Sequence, residues 1–150
     1  MLLNGVKIVK SDHTSEPWLV GVLFSQTGFT SVSEQAQLRG TLIAIEEINQ
    51  NGGVNGRPIQ PVVYDPGSDA KAYGQYAKKL MVEDGATTIF GCYTSDCRKA
   101  VLPVVERLNG LLWYPTPYEG IEFSPNVICT GLMSAPSGRS SDLPRRGRSL

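Results

Sequence analysis

Residues 18–53 read WLVGVLFSQTGFTSVSEQAQLRGTLIAIEEINQNGG, and the order of chemistry within them decides the fold. Trp18 to Phe24 is a nearly unbroken apolar run, as expected of a strand buried on both faces. A loop of small polar residues and glycine follows. Ser31 with Glu34 three positions later has the form of a capping box, which predicts a helix starting at that serine. Ala36, Gly40, Ile43, Ala44, Glu47 and Ile48 fall on one face of that helix. Asn49–Gly53 supplies the left-handed turn that stops it.

The same unit then recurs. Pro58–Tyr64 (PIQPVVY) reads as a strand, with Pro61 predicting an edge position. Asp65-Pro66-Gly67 is turn chemistry, and Asp69 caps a second helix running to about Asp84, with Tyr73, Ala77, Leu80 and Met81 as its apolar stripe. Thr87–Gly91 is a third strand, Ser95 caps a third helix to about Asn109, Leu111–Tyr114 is a fourth strand, and Val127–Cys129 lies in a short fifth. Strands alternating with helices predict an α/β fold, a doubly wound parallel sheet with helices on both faces. Ligands of such sheets bind beyond the carboxyl ends of the strands. Three loops qualify: Ser25–Val32, Cys92–Ser95 and Pro115–Glu119.

Composition bounds the function. The 150 residues carry 14 basic and 14 acidic side chains, but unevenly. Residues 132–150 hold four arginines against Asp142 alone, a net +3, leaving ten basic and thirteen acidic groups, a net −3, on residues 1–131. The body therefore has no electrostatic footprint for nucleic acid. The Ser-, Pro- and Arg-rich tail reads as a disordered or frameshifted end, with a basic nucleic-acid arm as the alternative. No apolar run is long enough for a spanning helix. Residues 1–17 form an extension without the apolar core of a secretory signal, so the chain as written is expected in the cytoplasm; a true start codon upstream, encoding a signal peptide, would place it in the periplasm. Cys92, Cys97 and Cys129 form no C-x-x-C pair, and the single histidine, His13, has no metal-ligand spacing, so neither a metal site nor a disulfide scaffold is expected. Gly52-Gly53-Val54-Asn55-Gly56 follows a helix and precedes a strand, the reverse of a dinucleotide fingerprint, and no cofactor is implied.

Two segments carry the candidate chemistry. In Gly91-Cys92-Tyr93-Thr94-Ser95-Asp96 a strand hands over to a helix. The Ser95 hydroxyl and the first free N–H groups of that helix converge there, so Ser95 is either an ordinary N-cap or a contact for a carboxylate or carbonyl oxygen. In Trp113-Tyr114-Pro115-Thr116-Pro117-Tyr118 two prolines fix the backbone. Thr116 can donate and accept, and Tyr114 and Tyr118 offer an apolar wall with a polar tip, or simply pack into the core. A flavodoxin-like enzyme using Cys92 or Cys97 is a remote alternative, because a thiol nucleophile needs a positioned base and the sole histidine precedes the first strand.

At these segments the sequence resembles a known family. GVLFSQTGFTSVSEQAQLRGTLIAIEEINQNGGVNGRPI, then FGCYTSDCRKAVLPVVERLNGLLWYPTPYEG and the following SPN, resemble type I periplasmic binding proteins of the Leu/Ile/Val-binding kind. Within it they are similar to the amide- and urea-binding subgroup, nearest the amide sensor of aliphatic-amidase operons. The resemblance covers about residues 18–131 and implies the N-terminal lobe of a two-lobed, non-enzymatic receptor. By position it assigns Tyr93, Ser95, Tyr114, Thr116 and Pro117 to the ligand pocket. It implies a short aliphatic amide or urea as ligand and regulation of amidase expression through an RNA-binding antiterminator. The alternative is the substrate-binding component of a urea, amide or branched-chain amino-acid ABC transporter, with a permease as partner. An incomplete lobe with open surfaces is also expected to self-associate.

Overall fold

The computed structural model describes residues 16–119 and 122–134. The expectations for the N-terminal extension up to Ser15 and for the tail from Ala135 onward lie outside the described residues. Among the described residues the elements follow in the order β1 (Trp18–Leu23), α1 (Ser31–Gln50), β2 (Ile59–Tyr64), α2 (Ala70–Val82), β3 (Thr88–Gly91), α3 (Ser95–Arg107), β4 (Leu111–Tyr114), β5 (Tyr118–Glu119), β6 (Val127–Cys129) and β7 (Met133–Ser134).

Five strands form one sheet in the order β2-β1-β3-β4-β6, and every pair is parallel. The α/β expectation is met. β2 is an edge strand, which is where Pro61, opposite Val20, removes no ladder bond from an inner strand. β5 and β7 add a small parallel pair that the sequence pattern does not announce.

Alternation along the strands divides the core. Leu23, Ile89, Leu112 and Tyr114 point to one face and pack with Tyr73, Ala77 and Leu80 of α2 and Val101 and Val105 of α3. On the other face Val22 and Phe24 meet Leu38 and Leu42 of α1. Among the described elements two helices cover the first face and one, α1, covers the second, with the stacked rings of Phe90 and Trp113, 5.6 Å apart, partly buried.

Two sequence expectations about α1 are corrected here. The capping box does not form: the N-cap is Thr30, without a side-chain cap bond, and Glu34 turns into the interior, where its relative exposure is 0%. The buried stripe is Glu34, Leu38 and Ile45, while Ile43 is 64% exposed. The physical reason for both is one network. The Glu34 carboxylate accepts from the Ser25 N–H (2.7 Å), from the Thr30 hydroxyl and from the Tyr73 hydroxyl. These bonds rotate α1 so that Leu38 rather than Ala36 or Ile43 faces the sheet. In α2, Asp69 caps as expected, accepting from the Ala72 N–H at 2.9 Å.

Candidate functional site

β3 and β4 lie side by side, so the loops that leave their carboxyl ends are neighbours. Between them is an open cavity of about 380 Å³ lined by Tyr93, Thr94, Ser95, Tyr114, Thr116 and Pro117. All five residues singled out from the sequence therefore border one space, and Thr94 joins them. The third candidate loop, Ser25–Val32, is not part of this lining. It is tied to the β2–α2 turn instead, where Asp65 accepts from the Gln26 N–H, the Thr27 N–H and the Thr27 hydroxyl. Burial pushes the Asp65 carboxyl up, but those bonds and the one from the Gly67 N–H outweigh it and hold the group below its usual range.

The start of α3 is built differently from the sequence expectation. Thr94, not Ser95, is the N-cap: its Oγ1 accepts from the Cys97 N–H at 3.3 Å, and its carbonyl takes the Arg98 N–H. Ser95 is thereby freed as the first residue of the helix. The N–H groups of Ser95 and Asp96 find no acceptor among the described residues, and both belong to the positive end of the helix dipole. This end of the cavity donates.

Arg98 is the residue that sequence reading missed. Its guanidinium is buried, pairs with Glu122 at 3.3 Å and lies 4.8 Å over the Tyr114 ring. One of its N–H groups reaches Ser95 Oγ at 3.4 Å. The charge is thus neutralised inside the protein, and its contribution at the mouth is to orient the Ser95 hydroxyl. Nothing in a single i, i+3 spacing distinguishes such an arginine from one on a solvated helix face.

The second wall comes from the turn after β4. Tyr114 has no exposed surface and stands behind the cavity, donating its hydroxyl to the Tyr93 carbonyl at 2.8 Å. Burial raises its phenol, against the pull of Arg98 and Ser95. Thr116 donates to the Cys92 carbonyl (3.3 Å) and accepts from the Gln37 side-chain amide (3.3 Å). The Cys92 carbonyl is available because Cys92 adopts a left-handed φ of 69° while its own N–H continues the ladder to Leu23. Gly131 presses on the same turn from outside, since a Cβ there would lie 2.1 Å from the Thr116 carbonyl oxygen.

The cysteine alternative finds no chemistry here. Cys92 has no exposed surface, and burial pushes its thiol well up, with Cys97 adding to the effect. Cys97 is buried and raised by burial too, although its bond with Thr94 opposes this. Modification of the native protein by a thiol reagent should strike the half-buried Cys129 first, about tenfold or more faster than Cys92 or Cys97. Peptide mapping showing Cys92 or Cys97 modified first would restore a reactive thiol at the mouth.

A separate, more apolar groove of about 430 Å³ runs beside α1, bordered by Val20, Phe24, Ala44, Ile48 and Phe90. Gln37 and Thr41 are its polar lining residues among those described.

A cavity at the tips of adjacent parallel strands, with helix N–H groups on one side and a proline-held turn on the other, is a binding geometry. Residues 18–143 match the family described as periplasmic binding protein domain. The chain belongs to that family. Among its relatives is the leucine-, isoleucine-, valine-, threonine- and alanine-binding protein of Pseudomonas aeruginosa, 33% identical over 90 residues, or 60% of this chain and 24% of that protein. The Leu/Ile/Val-binding protein homolog 7 of Brucella melitensis is 33% identical over 95 residues, 63% of this chain and 23% of that one. A branched-chain amino acid transporter substrate-binding protein from Streptococcus pneumoniae, solved with isoleucine, superposes with a TM-score of 0.65 over 67% of this chain and 29% of its own; at 23% identity the likeness is one of fold. The chain thus spans about a quarter of the curated relatives it matches. These periplasmic binding proteins bind ligands and are not enzymes. The expected cytoplasmic location and the amide subgroup find no support among them. No helix among the described residues is long and apolar enough to cross a membrane.

Proposed function

We propose that this chain is a ligand-gripping lobe of a substrate-binding component that serves an ABC permease in the periplasm, with a small aliphatic amino acid as cargo. One observation carries the reading: the cavity between the β3 and β4 tips is lined by both Ser95 and Thr116, and the Ser95 N–H at the start of α3 has no acceptor among the described residues. A carboxylate suits the helix start and an ammonium or N–H suits Thr116. Tyr93 and Pro117 give the aliphatic part an apolar border, backed by the buried Tyr114. The names of the Pseudomonas and Brucella relatives point the same way.

A second reading has its own support. Among the described residues the cavity lining contains no carboxylate to pair with an ammonium, and Arg98 already has Glu122. A neutral short amide or urea therefore fits the same donors, and with it the role of an amidase-regulating sensor acting through an RNA-binding antiterminator.

One lobe encloses only part of a ligand, so binding is expected near −4 kcal/mol, in the millimolar range. NMR titration of the 150-residue chain with leucine, acetamide and urea decides between the readings. Leucine should shift the Ser95 and Asp96 amide resonances more than either amide does, and Ser95→Ala should weaken it about five- to tenfold. The reverse order of ligands would transfer the assignment to the amide sensor. No shift at Ser95 or Thr116 with any of the three, up to tens of millimolar, would remove the cavity as a site.

A further inference from the structure

We infer that the outward face of α1 docks a second copy of this chain, the two helices packing antiparallel across a two-fold axis near Ile43. The inference is independent of the ligand reading, since no α1 residue borders the cavity at the strand tips.

α1 carries apolar residues on two sides. Leu38 and Ile45 face the sheet, while Val32, Ala36 and Ile43 recur at helical spacing on the side turned away from it. Val32 is 86% exposed and Ile43 64%, and Phe29 just before the helix and Val54 just after it are exposed as well. A single exposed aliphatic side chain is ordinary, but a row of them along a 20-residue helix marks a contact surface. Val32, Ala36 and Ile43 take no part in lining the groove beside α1, so the row stands as a ridge. A small ligand finds no enclosure on a ridge, whereas another helix can lay its own side chains into the grooves between these.

Charge order selects the occupant. Arg39 and Glu46 are both exposed and stand two turns apart on the same flank of the ridge. Arg39 has no acidic residue three or four positions away on its helix and no ion pair among the described residues; Glu46 accepts from the Gln50 side-chain amide at 3.2 Å. Seven positions make about 10 Å of rise, too far for Arg39 and Glu46 to meet within one helix. A second copy running antiparallel about Ile43 sets its Glu46 beside Arg39 and its Arg39 beside Glu46, one contact made twice. A parallel copy would set like charge against like. The antiparallel alignment also lays Ile43 on the second copy's Ile43 and carries the Val32 end of each helix toward the other's Val54. The patch complements itself, which a two-fold interface requires and an unrelated partner does not. One helix pair is smaller than a standard stable interface, so the dimer should be weak, with a Kd of about 10–100 µM.

Sedimentation of the whole chain across roughly 5–500 µM should show monomer passing to dimer. Ile43→Asp, at an exposed position, should weaken association at least about tenfold while the circular dichroism spectrum stays that of the parent. Arg39→Glu and Glu46→Arg should each weaken it about three- to tenfold, and the two together should return it to within about twofold of the parent. A chain that stays monomeric throughout overturns the inference. So does a dimer that Ile43→Asp leaves intact, which places the contact on another surface, or one that the double reversal fails to restore. Should Ile43→Asp not fold, the charge reversals alone decide. Ligand-induced shifts at Ser95 should be the same in the parent and in Ile43→Asp, so failure of the dimer and failure of the cavity as a site are read separately.

Discussion

Glu34→Ala should destabilise the protein by about 3–5 kcal/mol, enough to consume much of the stability of a domain this size. The carboxylate collects three donors from three places: the Ser25 N–H at the end of β1, the Thr30 hydroxyl at the start of α1 and the Tyr73 hydroxyl on α2. Tyr73 spends its proton on Glu34, so the Ser25 hydroxyl gives its own to the Tyr73 oxygen at 2.9 Å and accepts the Ser68 N–H at 2.9 Å. Ser25, Glu34 and Tyr73 all have 0% exposure. Burial and the bond to Glu34 raise the Tyr73 phenol far above its ordinary value, so this hydroxyl stays protonated and keeps donating. Removing the carboxylate strands the buried Ser25 N–H and leaves the Tyr73 and Thr30 hydroxyls with only the Ser25 and Ser68 hydroxyls as partners, where water reaches Ser25 and Tyr73 poorly. Glu34→Gln should cost only about 1–2 kcal/mol, because a carbonyl oxygen still accepts while the new NH2 group meets a donor. Urea denaturation followed by circular dichroism reads both. A Glu34→Ala midpoint within about 1 kcal/mol of the parent would mean that the network does not hold the two faces together.

Gly91→Ala is expected to be comparably damaging, at about 3 kcal/mol or more, by steric overlap rather than by lost bonds. A Cβ at Gly91 would lie 2.2 Å from the Leu23 carbonyl oxygen and 2.8 Å from its carbonyl carbon and Cβ. These neighbours cannot yield, since β1 and β3 are adjacent rungs of the sheet and the Cys92 N–H is bonded to that same oxygen at 2.9 Å. Relief requires prising the two central strands apart just where the mouth begins, so the substitution should also abolish ligand-induced shifts at Ser95. Gly40→Ala is the control. Nothing lies within 4 Å of a Cβ there, and alanine should stabilise α1 by about 0.5–1 kcal/mol. Thermal unfolding of the two variants should therefore move in opposite directions; a Gly91→Ala protein as stable as its parent would mean that the strands have slack that the close approach denies.

The fold was legible because each unit states itself locally. The run from Trp18 to Phe24, the stop at Asn49–Gly53 and the cap at Asp69 each depend on neighbours in sequence, and the structure places them accordingly. The mouth was legible in part, since Ser95 and Thr116 lie directly after strands whose order follows from the crossover rule. What escaped depends on contacts between distant segments. Glu34 has the spacing of a cap, and only Tyr73, 39 positions away, reveals its other use. Gln37 looks like an ordinary polar helix residue until α1 is laid beside a turn 79 positions on. Thr94 and Ser95 are equally good caps by chemistry, and it took the path of the chain out of β3 to choose between them.

The sheet's order also bears on how the chain is made. β1, the first of the described strands to leave the ribosome, ends up between β2 and β3. It has no first neighbour until Ile59–Tyr64 has been translated and no second until Thr88–Gly91 has followed. During that interval WLVGVL is an apolar ribbon with both edges open, the kind of segment nascent-chain chaperones hold and stalled synthesis leaves exposed. Assembly must therefore close around a strand that waits, and its timing is governed by the arrival of β3.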